Sequence, residues 1–240
     1  MRDYNKETIS RVEFIKSKIL EANAKGIVFG NSGGKDSALC GILASKACEN
    51  VLGVIMPCES SLNYTSDLED ARKLASQFGI KEMIVDLTKT KQELVTSIKE
   101  PLTKEASMNI NPRLRMTTLY AIAQKNNYLV MGTGNRSEIY LGYFTKWGDG
   151  AYDFNPIADL TATEVFEYLR YLNAPSSIIE KKPSASLYEG QTDEGELGIT
   201  YKELDDFLLF GKEPKKESLE IINKLHNRTE HKRKMPDAHK

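Results

Sequence analysis

Short apolar runs alternate with amphipathic stretches along the first half of the chain. Residues 4–24 carry apolar side chains at helical spacing until Gly26, which predicts an opening helix. A wholly apolar strand is predicted at 27–29, a helix at about 35–47 and a second strand at 51–56. The chain therefore begins with a helix that is followed by a β-α-β unit.

The same alternation continues to the middle of the chain and then changes. A helix at about 65–79 leads to a strand at 82–86, and a helix at 112–126 leads to a strand at 128–131. Because the four strands show no polar alternation, we expect a sheet covered on both faces. After Gly132 only helices are predicted, at about 135–141, 161–172, 200–209 and 216–226.

This order of elements predicts one α/β domain over residues 1–240, built as a doubly wound parallel sheet with helices on both faces. In such sheets, ligands bind beyond the carboxyl ends of the strands, where the strand order switches. We therefore expect the functional residues to lie at strand ends or just after them.

Charge excludes some functions but leaves one local bias. Lys and Arg number 33 against 34 Asp and Glu, so the molecule has no overall field that attracts nucleic acid or a membrane. From Gly211 to the end, however, nine Lys and Arg stand against five Asp and Glu. Composition alone favours a solvated basic tail there.

The cysteines and the N-terminus indicate a cytoplasmic protein. Cys40, Cys48 and Cys58 show no C-x-x-C spacing and have no histidine cluster nearby, which argues against disulfides and a zinc site. The N-terminus is polar, and no apolar run approaches the roughly 20 residues that span a bilayer. We therefore expect reduced thiols and no membrane segment.

A glycine-rich loop at 30–37, Gly-Asn-Ser-Gly-Gly-Lys-Asp-Ser, separates the first predicted strand from the next helix. Adjacent glycines let the backbone approach an anion, and a helix N-terminus adds unpaired N–H groups and partial positive charge. The loop is not a Walker A motif, because Asp36 stands where Ser or Thr is needed and Phe29 replaces the first glycine. The sequence predicts a phosphate cradle of another type.

Asp36 indicates a metal at this cradle. A carboxylate in the first turn of a phosphate-binding helix repels the phosphates unless a divalent cation lies between them. Mg²⁺ bridging Asp36 to a pyrophosphate satisfies both charges. The alternative is that Asp36 only complements the helix dipole while Ser32 or Ser37 caps the helix, which leaves the double glycine unexplained.

The motif Ser32-Gly33-Gly34-x-Asp36-Ser37 resembles that of the ATP pyrophosphatase superfamily, whose members split ATP into AMP and pyrophosphate to adenylate a substrate. Six further blocks resemble the NAD synthetase family and occur in its order, at 111–116, 132–138, 142–150, 182–185, 193–198 and 229–233. The resemblance implies an adenine nucleotide alpha hydrolase-like fold. It also implies an ATP-dependent ligase that amidates deamido-NAD (nicotinic acid adenine dinucleotide) through an acyl-adenylate, giving NAD, AMP and pyrophosphate.

The resemblance also assigns roles to individual residues. The implied ATP contacts are Gly30, Asn31, Ser32, Gly33, Gly34, Lys35, Asp36, Ser37, Thr133, Ala162 and Ser184. The implied Mg²⁺ ligands are Asp36 and Glu138, which with Lys146 form the catalytic set. The implied deamido-NAD contacts are Arg113, Lys146, Asp153, His231 and Lys232. Because the chain offers no room for a glutaminase domain, we expect the nitrogen donor to be free ammonia.

Several of these residues have a structural alternative on sequence grounds alone. Arg113 and Arg115 form a cationic pair suited to phosphates or a carboxylate, but both are also consistent with solvent-facing arginines. Glu138 is also consistent with stabilising the first turn of a helix, although we favour the metal-ligand role. In the aromatic stretch 142–154, Phe144 and Phe154 are consistent with simple packing under a long loop.

The C-terminal residues 226–240 acquire a second interpretation from the resemblance. His231-Lys232 matches a pair that closes over the dinucleotide, across a subunit boundary in a homodimer. We favour this interpretation over the solvated tail. Among related adenylating enzymes, a transfer RNA thiolation enzyme is a weaker alternative, because it requires sulfur-handling cysteines and a basic RNA surface.

Ala162 departs from the family pattern. Relatives usually carry a lysine at the third position of Leu160-Thr-Ala162-Thr-Glu, where it contacts an ATP phosphate. Four explanations remain open: a natively slow enzyme, compensation by Lys181 or Lys182, an alteration that leaves substrates unreacted, or a nucleotide-binding sensor of the same fold. The alternative function is accordingly a turnover-deficient variant.

Overall fold

The computed structural model describes residues 2–59, 66–181 and 192–239. The strands are β1 (Gly26–Gly30), β2 (Val51–Ile55), β3 (Lys81–Ile84) and β4 (Tyr128–Val130). The helices are α1 (Tyr4–Glu21), α2 (Lys35–Ala47), α3 (Ser66–Phe78), α4 (Thr88–Ile98), α5 (Lys104–Met108), α6 (Ile110–Asn126), α7 (Arg136–Leu141), α8 (Ala162–Tyr171), α9 (Ser176–Ile179), α10 (Asp193–Leu197), α11 (Tyr201–Phe210), α12 (Lys216–Arg228) and α13 (Glu230–Arg233).

The four strands form one parallel sheet in the order β3-β2-β1-β4. In the centre of the sheet, Val28 of β1 is in register with Leu52 of β2 and with Val130 of β4. The chain order reverses between β1 and β4, so the switch point lies between their carboxyl ends. The predicted doubly wound parallel sheet is confirmed.

Neighbouring residues of β1 point to opposite faces of the sheet, as a strand requires. Ile27 and Phe29 pack in a cluster with α1, α2, α3 and α8. Val28 packs on the other face, against Ala123 of α6. Helices therefore cover both faces of the central strand, as predicted.

The edge strand β3 corrects the sequence prediction. All four of its residues are exposed, so the expectation that every strand is covered on both faces is wrong for this one. It also begins one residue before and ends two residues before the predicted 82–86.

The helices α4 and α5, which follow β3, were not predicted. In α4, Lys91 is buried while Leu94 and Ile98 are exposed, so its apolar residues do not mark a core-facing stripe.

The first helix fixes the segment that leads into α8. The Arg11 guanidinium is buried, and it donates hydrogen bonds of 2.6 Å to Asp159 Oδ1 and to Glu7 Oε2. It also donates to the carbonyl oxygen of Pro156 at 2.5 Å. These bonds tie α1 to the segment at 156–159, just before α8.

The C-terminal helices pack on α7. Thr229 is buried and its hydroxyl donates to the carbonyl oxygen of Leu141 at 3.0 Å. Arg233 donates to the carbonyl oxygens of Tyr140 and His226. The alternative of a loose solvated tail is therefore wrong for residues 226–233. Among the described residues, no helix is both long enough and apolar enough to cross a membrane, and the three cysteines are free.

Candidate functional site

The glycine loop lies between the end of β1 and the start of α2. Gly33 has a φ of +74°, and the N-cap residue of α2 is Gly34, which has no side chain to satisfy the first N–H groups of the helix. Ser32 Oγ accepts from the Gly34 amide at 3.2 Å and lies 3.0 Å from Ser37 Oγ. The loop thus presents backbone amides and hydroxyls at a helix N-terminus, an arrangement that binds anions.

Two of the predicted ATP contacts hold the loop in place. Gly30 is the last residue of β1, and the backbone amide of Asn31 donates to Val54 of β2 at 2.9 Å. The Asn31 side chain is buried, and its amide donates to the carbonyl oxygen of Ala71 in α3 at 3.1 Å. The side chain of Asn31 therefore ties the loop to α3.

Asp36 and Glu138 meet at the switch point of the sheet, one after β1 and the other after β4. The buried Asn135 bridges them. Its side-chain amide donates to Asp36 Oδ1 at 2.9 Å, and its backbone amide donates to Glu138 Oε2 at 3.1 Å. Thr133, the other residue predicted near this strand end, lies two positions before Asn135 and is partly buried. The fold thus brings the two predicted metal ligands together.

Asn135 was not assigned a role from the sequence. It is the N-cap of α7 and forms a capping box with Glu138, so the spacing Asn-x-x-Glu was the available signal for its local structure. The bond from Asn135 to Asp36 joins residues that are remote in sequence, and no local pattern indicates it. The first-turn role considered for Glu138 is present as well, through one of its carboxylate oxygens.

The charges of Asp36, Glu138 and Lys35 act on one another across the site. Burial and then the neighbouring Asp36 carboxylate raise the pKa of Glu138 well above its ordinary value, while Lys35 acts in the opposite direction. Burial by itself lowers the pKa of Lys35, but Asp36, Glu138 and Asp193 more than offset it, so this pKa lies above its ordinary value. The site is an acidic cluster with an internal ammonium group.

The donor set fits a metal ion that is shared with phosphates. Among the described residues, no three or more His, Cys, Asp or Glu side chains form a group that is able to enclose a metal ion. Mg²⁺ is commonly held by one or two carboxylates, with phosphate and water oxygens completing its shell. Asp36 and Glu138 beside a phosphate-binding loop match that second type of site.

The predicted dinucleotide contacts form a second group around the loop at 142–150. Arg113 Nη2 donates to the carbonyl oxygen of Lys146 at 3.4 Å, and Lys146 Nζ donates to that of His231 at 2.6 Å. Lys232 Nζ donates to the carbonyl oxygens of Gly142 and Phe144 at 2.8 and 2.7 Å. The structure therefore brings four of the five predicted contacts together within one chain.

Gly142 explains why the C-terminal helix fits against this loop. Its φ is +66°, and a Cβ atom there would lie 2.3 Å from the Thr229 side chain. The glycine thus permits a left-handed turn and a close approach at the same position. Phe144 lies beside the Lys232 ammonium, 5.5 Å from ring centroid to Nζ, whereas Phe154 is part of the apolar core. The packing alternative is therefore confirmed for Phe154.

Asp153, the fifth predicted contact, is exposed but already bonded to other elements. Its Oδ2 accepts from the Val130 amide at 2.7 Å, and its Oδ1 accepts from the Tyr120 hydroxyl at 3.2 Å. Burial and then the Asp153 charge raise the pKa of Tyr120 to about 12. The Asp153 side chain therefore contacts β4 and α6 rather than the loop at 142–150.

Ala162 is enclosed in the protein. It is 0% exposed, and its amide donates to Ser137 Oγ at 3.1 Å. The next amide, that of Thr163, donates to Asp205 Oδ2 at 2.8 Å, and Asp205 also bonds to Ser137. The start of α8 is thus capped by protein groups, and Ala162 offers no surface to a ligand in this conformation. No local pattern indicates the Asp205 contact, because Asp205 belongs to another helix, α11.

Lys181 and Lys182 were considered as replacements for a cation at position 162. Lys181 Nζ forms ion pairs with Asp67 and with Asp70, the latter at 3.2 Å. Its charge is therefore engaged with α3. Lys182 and the predicted ATP contact Ser184 lie outside the described residues.

The chain is similar to known proteins over nearly its whole length. Residues 7–236 match the family model described as NAD synthase. The chain is 48% identical, over 98% of its length and 98% of the other protein, to the NH3-dependent NAD(+) synthetase of Carboxydothermus hydrogenoformans.

Solved structures give the same result at the level of the fold. The structure of NMN synthetase from Francisella tularensis superposes with a TM-score of 0.95 at 38% identity, covering 99% of each chain. The NH3-dependent NAD synthetase from Campylobacter jejuni superposes with a TM-score of 0.83 at 31% identity, covering 100% of each chain. These structures have the adenine nucleotide alpha hydrolase-like fold that the resemblance implied.

Proposed function

The chain belongs to the NAD synthase family, and we propose that it uses ATP to amidate deamido-NAD with free ammonia. The products are NAD, AMP and pyrophosphate, and the enzyme is a carbon–nitrogen ligase. One observation on the chain's own residues supports the proposal most strongly. Asn135 joins Asp36 to Glu138 at the switch point of the sheet, beside a glycine loop that leads into a helix without a side-chain cap. That arrangement suits a nucleoside triphosphate with a bound Mg²⁺ ion.

The chemistry must make a carboxylate reactive toward an amine. A carboxylate oxygen of the nicotinate group attacks the α-phosphorus of ATP, and the bond to pyrophosphate breaks. Ammonia then attacks the carbonyl carbon of the acyl-adenylate with its lone pair, and the carbon–oxygen bond to AMP breaks. The proton that the new amide nitrogen loses passes to solvent. The carboxylate oxygen that attacked the phosphorus therefore leaves as part of AMP.

The chain's residues stabilise the charges that this reaction moves. The backbone amides and hydroxyls at 32–37 receive the departing pyrophosphate, where fixed dipoles cost no reorganisation. When bound by Asp36 and Glu138, Mg²⁺ supplies neutralisation of the phosphate charge. Thr133 and Ser184 remain proposed ATP contacts. Asp153 remains a proposed dinucleotide contact beside β4.

The anionic substrate is proposed to lie against Arg113, Lys146, His231 and Lys232. An ammonium group has three donors, so the bond from Lys146 to the His231 carbonyl leaves two N–H groups for a ligand. The guanidinium of Arg113, which is exposed, offers a paired set of donors for a carboxylate or phosphate.

The alternative of a turnover-deficient variant or sensor, raised by Ala162, is not supported. The relatives that the chain matches over nearly its full length are named as synthetases. Ala162 is also enclosed by protein groups, in a cluster with Leu141 and Leu204.

The experiment that tests the function combines the protein with ATP, Mg²⁺, ammonium and deamido-NAD, and measures NAD, AMP and pyrophosphate by chromatography. We expect the three products in equal amounts and no NAD when any one substrate is omitted. Product formation with ADP as the nucleotide product would contradict the proposal.

A second acid substrate is favoured by one observation. The solved structure with a TM-score of 0.95 is named an NMN synthetase, while the NAD synthetase from Campylobacter jejuni gives 0.83. Nicotinate mononucleotide contains the same reacting carboxylate and lacks the adenylate half. Comparing kcat/KM for the two acids in the same assay decides between them. A preference of about tenfold for the mononucleotide, which corresponds to about 1.4 kcal/mol in transition-state binding, would make it the favoured substrate.

Replacing Lys146 or Arg113 by alanine is expected to weaken binding of the acid substrate and leave ATP binding unchanged. Loss of a hydrogen bond to a charged group costs about 1.5–3 kcal/mol, so KM for deamido-NAD should rise about 10- to 100-fold. Steady-state kinetics with each substrate varied in turn measures both constants. Lys125→Ala, an exposed lysine in the last turn of α6, is the matched control. A larger change in KM for ATP than for deamido-NAD would reject this assignment.

We also propose that the protein works in the cytoplasm, where its substrate ATP is available. We further propose that it is a homodimer. Apolar side chains on β3 and α4 support the pairing, since Met83, Ile84, Leu94 and Ile98 are between 38% and 49% exposed. Exposed apolar side chains of this size are typical of an interface when they share a surface.

The paired variant Leu94→Glu with Ile98→Glu is expected to shift the protein to a monomer in sedimentation velocity, because burying two carboxylates opposes association. Leu20→Glu, at a 79% exposed position on α1, is the control and should leave the sedimentation coefficient unchanged. A native protein that sediments as a monomer at every concentration would refute the dimer.

A further inference from the structure

The side chain of Lys35 is buried beside the carboxylate pair, although it belongs to the first turn of a helix that faces a phosphate loop. The residue is 7% exposed. Its Nζ lies 2.7 Å from Asp36 Oδ2. It also lies 5.7 Å from the ring centroid of Phe166 in α8 and 5.5 Å from that of Tyr201 in α11. Packing from two other helices therefore fixes where this ammonium sits.

The surroundings of Lys35 are acidic on several sides. Asp36, Glu138 and Asp193 all interact electrostatically with its ammonium, and each comes from a different helix. One ammonium among three carboxyl groups leaves two negative charges when all are ionised, which a divalent cation balances. Asp36 is the shared partner, because Lys35 bonds to its Oδ2 and Asn135 bonds to its Oδ1.

An ammonium in this place affects a metal ion in two ways. It lets Asp36 and Glu138 lie close together in the metal-free protein, because it offsets their mutual repulsion. It also repels a divalent cation that approaches Asp36, since like charges a few ångströms apart interact strongly in a partly buried site. Nucleotide phosphates bring the negative charge that cancels this repulsion.

We propose that Lys35 is a built-in counter-cation of the Asp36–Glu138 pair, so that this chain takes up a divalent cation together with nucleotide phosphates and binds it only weakly without them. Lys35 is in this sense a positioning residue for the metal ligands. The inference rests on the proposed function, which assigns the metal to Asp36 and Glu138.

The test measures Mn²⁺ binding to the full-length protein by electron paramagnetic resonance, with and without a non-hydrolysable ATP analogue. Lys35→Met keeps the length of the side chain and removes its charge. It is expected to bind Mn²⁺ at least about tenfold more tightly than the native protein when no nucleotide is present. With the analogue present, the difference should shrink to within about threefold, because the lost ammonium also attracted the phosphates.

Two controls separate charge from packing. Lys35→Arg keeps the charge and should bind free Mn²⁺ like the native protein. Lys46→Met removes an exposed lysine from the other end of α2 and should have no effect. If Lys35→Met does not fold, Lys35→Gln replaces it, and restored thermal stability of either neutral variant on adding Mn²⁺ supports the proposal.

Three results overturn the inference. The first is Mn²⁺ binding by Lys35→Met that is no tighter than that of the native protein. The second is a native protein that binds Mn²⁺ equally well with and without the analogue, a measurement that requires no variant. The third is an absence of Mn²⁺ binding even with the analogue, which would also remove Asp36 and Glu138 as metal ligands and so would count against the proposed function. The first two results leave that function intact.

Discussion

Asp36→Asn is expected to lower kcat by about 10²- to 10³-fold, the cost typical of removing one preorganised electrostatic group from a reacting centre. Asparagine keeps the shape of the side chain but loses the negative charge that a metal ion needs. The Asp36 carboxylate also accepts bonds from Asn135 and Lys35, so its loss leaves a buried ammonium without its nearest partner. Steady-state kinetics at saturating substrates and Mg²⁺ measures the effect. Glu138→Gln is expected to act in the same direction.

The control for this experiment is Glu69→Gln, which removes an exposed carboxylate from α3. Far-ultraviolet circular dichroism establishes that each variant is folded. A folded Asp36→Asn protein with turnover within about twofold of native would show that this carboxylate has no part in the transition state.

Gly33→Ala is expected to disrupt the phosphate loop more than an alanine at either of the other glycines of the loop, Gly30 or Gly34. The residue has a φ of +74°, and a Cβ atom there would lie 2.2 Å from the carbonyl oxygen of Asp67 at the start of α3. The loop or the helix must therefore move. A displacement of about 1 Å in a positioning element can cost about 10²-fold in rate, and we expect kcat/KM for ATP to fall by at least that factor.

Gly79→Ala is a closely matched control. Gly79 has a φ of +66°, but no atom lies within 4 Å of the position that its Cβ would take. Both variants carry the conformational cost of a left-handed alanine, about 1–2 kcal/mol, and only Gly33→Ala carries the collision as well. Thermal melting should therefore show the cost in both proteins, and the kinetic loss should appear only in Gly33→Ala. An equal kinetic loss in the two would mean that the loop does not depend on its contact with α3.

The elements nearest the site were predictable because their signals are local. The apolar run of β1, the double glycine and the start of α2 follow one another without interruption, and the structure begins α2 at Lys35 as predicted. The parallel arrangement of the strands followed from the alternation of strands and helices. Edge strand β3 was misjudged, because an apolar run does not tell whether a neighbouring element covers it.

The chemistry inside the site was less predictable because it depends on contacts between remote segments. Asn135 is recognisable as a helix cap from its spacing to Glu138, but its bond to Asp36 exists only once β1 and β4 are adjacent. The sequence placed Lys35 on a phosphate-binding helix and gave no indication that α8 and α11 enclose its ammonium. The enclosure of Ala162 has the same origin.

Transfer of oxygen from substrate to nucleotide tests the central claim most directly. Deamido-NAD labelled with oxygen-18 in both carboxylate oxygens is converted with ATP, Mg²⁺ and ammonium, and the products are analysed by mass spectrometry. Because the carboxylate attacks the α-phosphorus and its oxygen departs with the adenylate, we predict one oxygen-18 atom in AMP and none in pyrophosphate. Unlabelled AMP, or label in orthophosphate formed together with ADP, would contradict the acyl-adenylate route and with it the function proposed for the loop at 32–37.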